Sequence, residues 1–190
     1  MIAIDRMNLG SPPAGFTFAR TGRGAEGQWN VTTDPTAAGG RAIEQTSTDR
    51  TGYRFPLAIH ESLSASNLNV EVRFKTVAGK GDQAAGVAVR LVDSDNYYVA
   101  RANALEDNVR FYRVVAGRRE QLHGVNLKVT PNEWHTLGLR AEGERFTVSY
   151  DGRMLFSVAD NTFPEAGGIA LWTKADSVTR FDQVTITNLP

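Results

Sequence analysis

The feature that most constrains this chain is an alternation of apolar and polar residues with a period of two. Residues 69–77 alternate valine or phenylalanine with charged side chains, and 145–158 repeats the pattern on both sides of Asp151-Gly152. A period of two places successive side chains on opposite faces of a strand, and Asp-Gly is a strong hairpin signal. These segments are therefore predicted to be antiparallel strands.

The same alternation recurs along the whole chain. Further candidate strands are 16–20, 28–33, 41–47, 52–57, 86–92, 96–104, 109–115, 134–141, 167–174 and 180–188. No window carries an apolar stripe of helical period, and 56–66 is expected to form a helical turn or two at most. About a dozen short strands predict an all-β sandwich or barrel. We expect a single domain over residues 1–190, with its core at 15–188.

Composition excludes several classes of function. The 21 basic and 21 acidic side chains give zero net charge, which argues against a nucleic acid partner. No apolar run approaches the ~20 residues of a membrane span, and the absence of cysteine excludes disulfides and zinc–thiolate sites. The first ten residues lack a signal-peptide pattern. We therefore expect an exported protein if a leader has been removed and a cytoplasmic one otherwise; oligomeric state is left open.

The central segment 85–115 predicts which residues share a sheet face. With four-residue loops at 93–96 and 105–108, the predicted pairs are Leu91–Tyr98, Val89–Ala100 and Ala102–Phe111. The opposite face then collects Arg90, Val99, Arg101, Asn103, Arg110 and Tyr112. Planar donors beside an aromatic ring suit sugar hydroxyls or carboxylates. A solvated face laced with Arg–acid pairs is an equally good interpretation.

Three segments together resemble the concanavalin A-like lectin/glucanase superfamily. They are GVAVRLVDSDNYYVARANALEDNVRFYRV, EWHTLGLRAEGERFTVSYDGRMLF and GGIALWTKADSVTRFDQVTI. Within the superfamily the chain looks like laminin-G-like modules and bacterial proteins near the 3-keto-disaccharide hydrolase family. The resemblance implies a jelly-roll sandwich of two curved antiparallel sheets. In members that bind sugars, it also implies a ligand groove on the concave face.

The chain departs from the enzymes of this superfamily in two ways. No glutamate is followed two residues later by aspartate, so the carboxylate cluster of family 16 glucanases is absent. The Asn-Ser-Gly-type and Tyr-Glu-x-Gln-type segments of the 3-keto-disaccharide hydrolases are replaced by DQAAGVAVR and NYYVARANAL.

The closing segment adds three candidate ligand-binding residues. If Ile169 and Leu171 face the core, alternation sends Trp172 and Lys174 to the other face, with Asp176 at the rim. Trp172 would then stack on a sugar ring while the two charged residues hold hydroxyls. The alternative is a tryptophan that caps the sandwich beside a local Lys174–Asp176 ion pair.

These observations predict a carbohydrate-binding jelly roll whose partner is an oligosaccharide or sugar derivative. A divergent glycoside hydrolase or lyase is the first alternative, with Glu106, Asp107 and Asp176 as candidate acids and His135 as a distant candidate base. A structural or adhesive module without a small ligand is the second.

The resemblance also implies a structural calcium on the convex side, with Asp182 as its carboxylate ligand. Calcium accepts many backbone carbonyls, and the glycine-rich loop at 22–27 is the expected source of them. The alternatives are that Asp182 caps the bend before Val184 or pairs with Arg180.

Overall fold

Fourteen strands form the protein in a computed structural model that describes residues 1–190. In chain order they are β1 (Phe16–Gly22), β2 (Trp29–Thr33), β3 (Arg41–Gln45), β4 (Arg54–Ala65), β5 (Leu68–Ala78), β6 (Ala84–Asp93), β7 (Asn96–Asn103), β8 (Asn108–Val115), β9 (Arg118–Asn126), β10 (His135–Glu142), β11 (Arg145–Tyr150), β12 (Arg153–Ala159), β13 (Gly167–Trp172) and β14 (Val178–Asn188). Two short 3-10 segments, Ile4–Arg6 and Ala38–Gly40, complete the secondary structure. Neither has the length or apolarity of a membrane-spanning helix.

The strands assemble into two antiparallel seven-stranded sheets. The front sheet has the order β1-β4-β13-β6-β7-β8-β9, and the back sheet has the order β12-β11-β10-β5-β14-β3-β2. A core of 32 buried residues fills the space between them. It includes Val70, Val72 and Phe74 of β5, the residues whose alternation predicted that strand. The predicted all-β jelly-roll sandwich is confirmed.

A second apolar cluster of 11 buried residues includes Phe55, Leu57, Tyr97, Val99 and Trp172. These residues have the strand parity opposite to that of the core, so they lie on the outer face of the front sheet. The two ends of this sheet approach each other across that face. The hydroxyl of Tyr53, just before β4, accepts a 2.6 Å hydrogen bond from the backbone nitrogen of Arg119 in β9. The outer face of the front sheet is therefore strongly curled, and we call it the concave face.

The central hairpins have the predicted parity but a different register. Val89, not Leu91, pairs with Tyr98, and Ala100, not Ala102, pairs with Phe111. The β6–β7 pairing is shifted by two residues at a bulge between Val89 and Asp93. The β7–β8 pairing is shifted by two residues because the turn is Ala104–Asp107 rather than the predicted loop 105–108. A shift of two preserves the face of every regularly paired residue. The sheet faces therefore remain as predicted except where a bulge intervenes.

Two segments were assigned wrongly from sequence. Residues 56–66 form most of the long strand β4 rather than a helical turn, because Leu57 and Ala58 are buried on opposite faces of the sheet. Strand β9 was missed, because its sequence RREQLHGVN is mostly polar and lies at a sheet edge. A polar edge strand carries little of the alternation that identifies buried strands.

Candidate functional site

Four charged side chains meet on the concave face: Asp82, Arg101, Glu106 and Lys174, here called the polar cluster. Arg101 Nη2 donates to Glu106 Oε2 at 2.8 Å. Lys174 Nζ lies 3.3 Å from Glu106 Oε1 and 2.8 Å from Asp82 Oδ1. The result is a chain of alternating charges: Arg101 comes from β7, and the other three members come from loops, with Lys174 two residues after the end of β13. Its carboxylates and ammonium offer both acceptors and donors to a ligand.

Neighbouring amides fix the polar cluster in place. Asn103 Nδ2 donates to Asp82 at 2.9 Å, and its Oδ1 accepts the backbone N–H of Leu105 at 3.0 Å. Asn108 accepts from Arg101 and donates to Glu106. Because Asn103 and Asn108 flank the turn Ala104–Asp107, they hold Glu106 over the concave face. Asn103 is thus a positioning residue, fully buried at 0% exposure.

Glu106 is the accessible member of the polar cluster. Its side chain is 39% exposed, compared with 3% for Arg101. Burial alone would raise the pKa of Glu106, but the positive charges of Arg101 and Lys174 lower it below the ordinary value. Glu106 is therefore ionised at neutral pH and serves as a hydrogen-bond acceptor rather than as a proton donor.

Tyr112 connects the polar cluster to a second arginine. Its hydroxyl accepts a 3.2 Å hydrogen bond from Arg101 Nη2. The guanidinium of Arg119 lies over the ring of Tyr112, with its central carbon 4.2 Å from the ring centroid. Arg110 lies beside this group on β8 and donates to Asn126 at 2.7 Å. A Cβ at Gly124 would lie 2.3 Å from Arg110 Cδ, so the glycine makes room for that side chain.

Of the eight predicted ligand-binding residues, five face the concave side near one another. They are Arg101, Asn103, Arg110, Tyr112 and Lys174. The other three are placed differently.

Trp172 faces the concave side but is not a surface for stacking. It is 0% exposed, and its ring stacks on Phe55 at 5.2 Å between centroids. Its Nε1 donates to the hydroxyl of Tyr97 at 3.2 Å. Desolvation raises the pKa of Tyr97 to about 12, which keeps this hydroxyl protonated. The predicted sugar platform is wrong, because the curled sheet packs aromatic side chains over the tryptophan.

Arg90 was assigned to the wrong face. It lies in a bulge between Val89 and Asp93, with φ of 48°. Its side chain therefore does not follow the alternation of faces that a regular strand shows. Its guanidinium donates to three backbone carbonyl groups, those of Ser66, Phe163 and Gly143. Arg90 therefore ties loops together and contributes nothing to the concave face.

Asp176 organises a loop rather than the rim of a groove. Its carboxylate accepts the backbone N–H groups of Lys80, Gly81 and Asp82 at 2.8–3.1 Å. Burial alone would raise the pKa of Asp176, but these donors hold it below the ordinary value. Asp176 fixes Asp82, which in turn meets Lys174; the predicted Lys174–Asp176 pair is replaced by Lys174–Asp82.

The remaining candidate acid and base lie outside the polar cluster. Asp107 accepts the backbone N–H of Val129 at 3.0 Å and pairs with Lys128. His135 is on the back sheet, where its ring nitrogens lie 2.9 Å from Asp151 Oδ2 and 3.0 Å from the carbonyl oxygen of Thr130. Neither side chain is placed for acid–base chemistry on a ligand at the concave face.

The residues around Asp182 do not fit a calcium site. Its Oδ2 accepts from Arg73 at 2.7 Å and from the Ala38 backbone at 2.6 Å, so a cation already occupies that side of the carboxylate. Burial raises the pKa of Asp182, against the lowering effect of these two donors. In the glycine-rich loop 22–27, the backbone carbonyl oxygens of Ala25 and Glu26 accept hydrogen bonds from Arg54 rather than pointing toward an ion. No group of three or more histidine or acidic side chains in the structure is arranged to hold a metal ion.

Three site residues were missed by sequence reasoning. Asp82 lies in the loop 79–83 between β5 and β6, Tyr53 directly precedes β4, and Arg119 lies at the start of β9. Arg119 follows a tight hairpin turn in which Ala116 and Gly117 both have positive φ. Gly117 was the only sequence signal for this turn, since alanine is not a residue that such turns favour.

Two facing seven-stranded antiparallel sheets, the front one curled around a polar cluster, define the fold class. The chain has the concanavalin A-like jelly-roll fold.

Comparisons with known proteins agree with this fold. No family model matches the chain. The carbohydrate binding module CBM66 from Bacillus subtilis superposes with a TM-score of 0.73 at 22% identity, covering 90% of this chain and 95% of that module. The Ca²⁺- and mannose-bound exoplasmic/lumenal domain of VIP36 superposes with a TM-score of 0.65 at 13% identity, covering 94% and 84% of the two chains.

A curated relative is also found at the level of sequence. The levanase of Bacillus subtilis (strain 168) is 28% identical over 129 residues, which are 67% of this chain. The chain spans only 19% of the length of that levanase.

Proposed function

We propose that this protein binds carbohydrate through the concave face, with the polar cluster as the centre of the site. The observation that carries the proposal is the pair Glu106 and Lys174, a partly exposed carboxylate held beside an ammonium. Such a pair accepts from one sugar hydroxyl and donates to another. Likeness to a carbohydrate binding module and to a mannose-bound lectin domain supports the same function.

Binding is favoured over glycoside hydrolysis by the charges of the polar cluster. Asp82 and Glu106 both contact Lys174 Nζ, so two carboxylates are present near one point. Hydrolysis by paired carboxylates needs one of them protonated as the general acid. The lowered pKa of Glu106, caused by Arg101 and Lys174 against the effect of burial, does not supply that acid.

A structural or adhesive role is the second candidate. It is favoured by the burial of Trp172 and by the Tyr53–Arg119 contact, since both close part of the concave face without a ligand. This candidate differs in its prediction, because it requires no affinity for any sugar.

The test is a calorimetric titration against a panel of polysaccharides and their oligosaccharides. Levan and inulin enter the panel because of the levanase relative, together with β-glucans, mannans and polyuronates. We expect at least one member to bind, and we expect Glu106→Gln to weaken that binding about tenfold, as loss of a charge-assisted hydrogen bond does. Glu165→Gln, the same substitution at an exposed loop residue, is the matched control.

Two results contradict the proposal. The first is a wild-type protein that binds no member of the panel. The second is a Glu106→Gln variant that binds as tightly as Glu165→Gln, which would move any sugar site away from the polar cluster.

A further inference from the structure

Arg119 is a largely buried cation that forms no ion pair. Its guanidinium makes no hydrogen bond to the protein, and no carboxylate oxygen lies within 4.0 Å of it, although Nη1 is inaccessible to solvent. Two aromatic rings are its immediate neighbours: its guanidinium carbon lies 4.2 Å from the Tyr112 centroid and 4.9 Å from that of Phe55. The backbone of Arg119 is anchored by the hydroxyl of Tyr53.

Burial of an unpaired charge is unfavourable. Burial lowers the pKa of Arg119, which reports the cost of removing the guanidinium from water. Contact with two ring faces offsets part of this cost. Nη1 is buried without the acceptor that buried guanidinium nitrogens ordinarily have. Nε and Nη2 remain accessible and make no hydrogen bond to the protein, so an anion bound beside Arg119 would supply acceptors to these two nitrogens.

A cavity lies next to this guanidinium. It has a volume of about 580 Å³ and is lined by Val115, Ala116, Arg118, Arg119 and Glu120. Glu120 is already engaged, because its Oε2 accepts from Arg113 Nε and Nη2 at 3.0 and 2.8 Å. Arg118 is exposed and forms no ion pair. The cavity thus presents unpaired positive charge.

No carboxylate of the polar cluster forms an ion pair with this guanidinium, although the charge of Glu106 acts on it from a distance. Glu106 is shared between Arg101 and Lys174. Arg101 adds a second guanidinium at the hydroxyl of Tyr112, and its Nε is also buried without a partner. A ligand that spans Tyr112 therefore meets hydroxyl-binding groups at one end and unpaired guanidinium nitrogens at the other.

We propose that the ligand is an acidic oligosaccharide, with the carboxylate of a uronic acid residue bound in this cavity by Arg119. This inference rests on the proposed function, since it assigns the sugar class to the same face. A planar carboxylate accepts two parallel N–H groups from a guanidinium fork. The neutral hydroxymethyl group of the corresponding hexose has one oxygen and no charge, so it leaves the guanidinium unpaired.

The experiment compares matched sugars that differ only at this group. Glucuronate and glucose oligosaccharides, and galacturonate and galactose oligosaccharides, are titrated into the full chain by calorimetry at low and at high salt. We expect the acidic member of at least one pair to bind about tenfold more tightly at low salt, with the advantage reduced at high salt.

Variants assign the preference to Arg119. Arg119→Gln is expected to remove the tenfold advantage of the acidic over the neutral sugar. Arg153→Gln removes the same charge from an exposed position on the back sheet and is expected to retain the advantage. Should Arg119→Gln fail to fold, Arg119→Lys keeps the charge but not the fork and is expected to lose most of the preference.

The outcomes separate this inference from the proposed function. Equal affinity for acidic and neutral sugars overturns the uronate assignment and leaves carbohydrate binding intact. Absence of binding to every sugar overturns both. Inhibition by free sulfate or acetate at the same concentration as by uronate indicates an anion pocket without sugar recognition, which also overturns the assignment.

Discussion

Replacing Trp172 with phenylalanine separates a packing role from a ligand-binding one. The indole is fully buried, stacks on Phe55 and donates to Tyr97. Loss of a fully buried tryptophan costs ~3–5 kcal/mol when alanine replaces it. Phenylalanine keeps most of the ring area but loses the benzo ring and the N–H, so we expect the free energy of unfolding to fall by about 2 kcal/mol. For a chain of this size, about 2 kcal/mol lowers Tm by roughly 4–8 °C.

The assay pairs thermal melting, followed by circular dichroism, with calorimetric titration of the best sugar ligand. We expect the lower Tm together with an unchanged Kd for the folded variant. Trp134→Phe is the control: this tryptophan is only half-buried, beside Arg73 and Lys75 on the back sheet, and its loss should shift Tm less. An unchanged Tm combined with lost binding would refute the packing role and restore Trp172 as a contact to the ligand.

Three further predictions concern the carboxylates. Asp176→Asn is expected to cost about 2–4 kcal/mol in urea unfolding, because an amide cannot accept all three N–H groups of 80–82; a loss below ~0.5 kcal/mol would contradict it. Calcium or a chelator is expected to leave Tm unchanged, whereas a saturable rise would show a site that the donor set around Asp182 does not predict. The raised pKa of Asp182, caused by burial, contributes stability that is present at low pH and lost as pH rises. Wild type should therefore gain stability relative to Asp182→Asn between about pH 7 and pH 4 in urea titrations, and a constant difference would count against this.

Strand alternation was sufficient to predict an all-β sandwich or barrel because each sheet buries one face against the other; the jelly-roll arrangement was implied by the superfamily resemblance. Val70, Val72 and Phe74 repeat every second residue, and the opposing sheet leaves no other way to bury them. The same logic placed Arg101 and Tyr112 together on the concave face even though the predicted register was off by two residues. A register shift of two residues changes the cross-strand partner of a residue but leaves its side chain on the same sheet face.

The failures come from features that alternation does not encode. The bulge at Arg90 reverses one side chain locally. The curl of the front sheet buries Trp172 against Phe55. Alternation therefore predicted the correct sheet face for Trp172 but not that its side chain is buried there. Asp82 reaches the polar cluster only because Asp176, 94 residues later in the chain, binds the backbone of its loop. Such long-range contacts depend on three-dimensional packing, and a single sequence does not display them.

Lys174→Gln provides a test of the electrostatics that hold the polar cluster together. Its ammonium is shared by Glu106 and Asp82, and together with Arg101 it lowers the pKa of Glu106 against the effect of burial. Without Lys174 that pKa rises, so Glu106 accepts a proton at a higher pH and loses its acceptor character there. Because the ionised form is the one that binds sugar in our proposal, affinity should fall at a higher pH in the variant. In wild type the fall should begin below the ordinary glutamate pKa of ~4.3. Calorimetric titrations from about pH 7 to pH 3.5 measure both profiles, with Lys80→Gln, an exposed lysine, as the matched control. If affinity falls at the same pH in Lys174→Gln and Lys80→Gln, the ammonium of Lys174 does not act on Glu106.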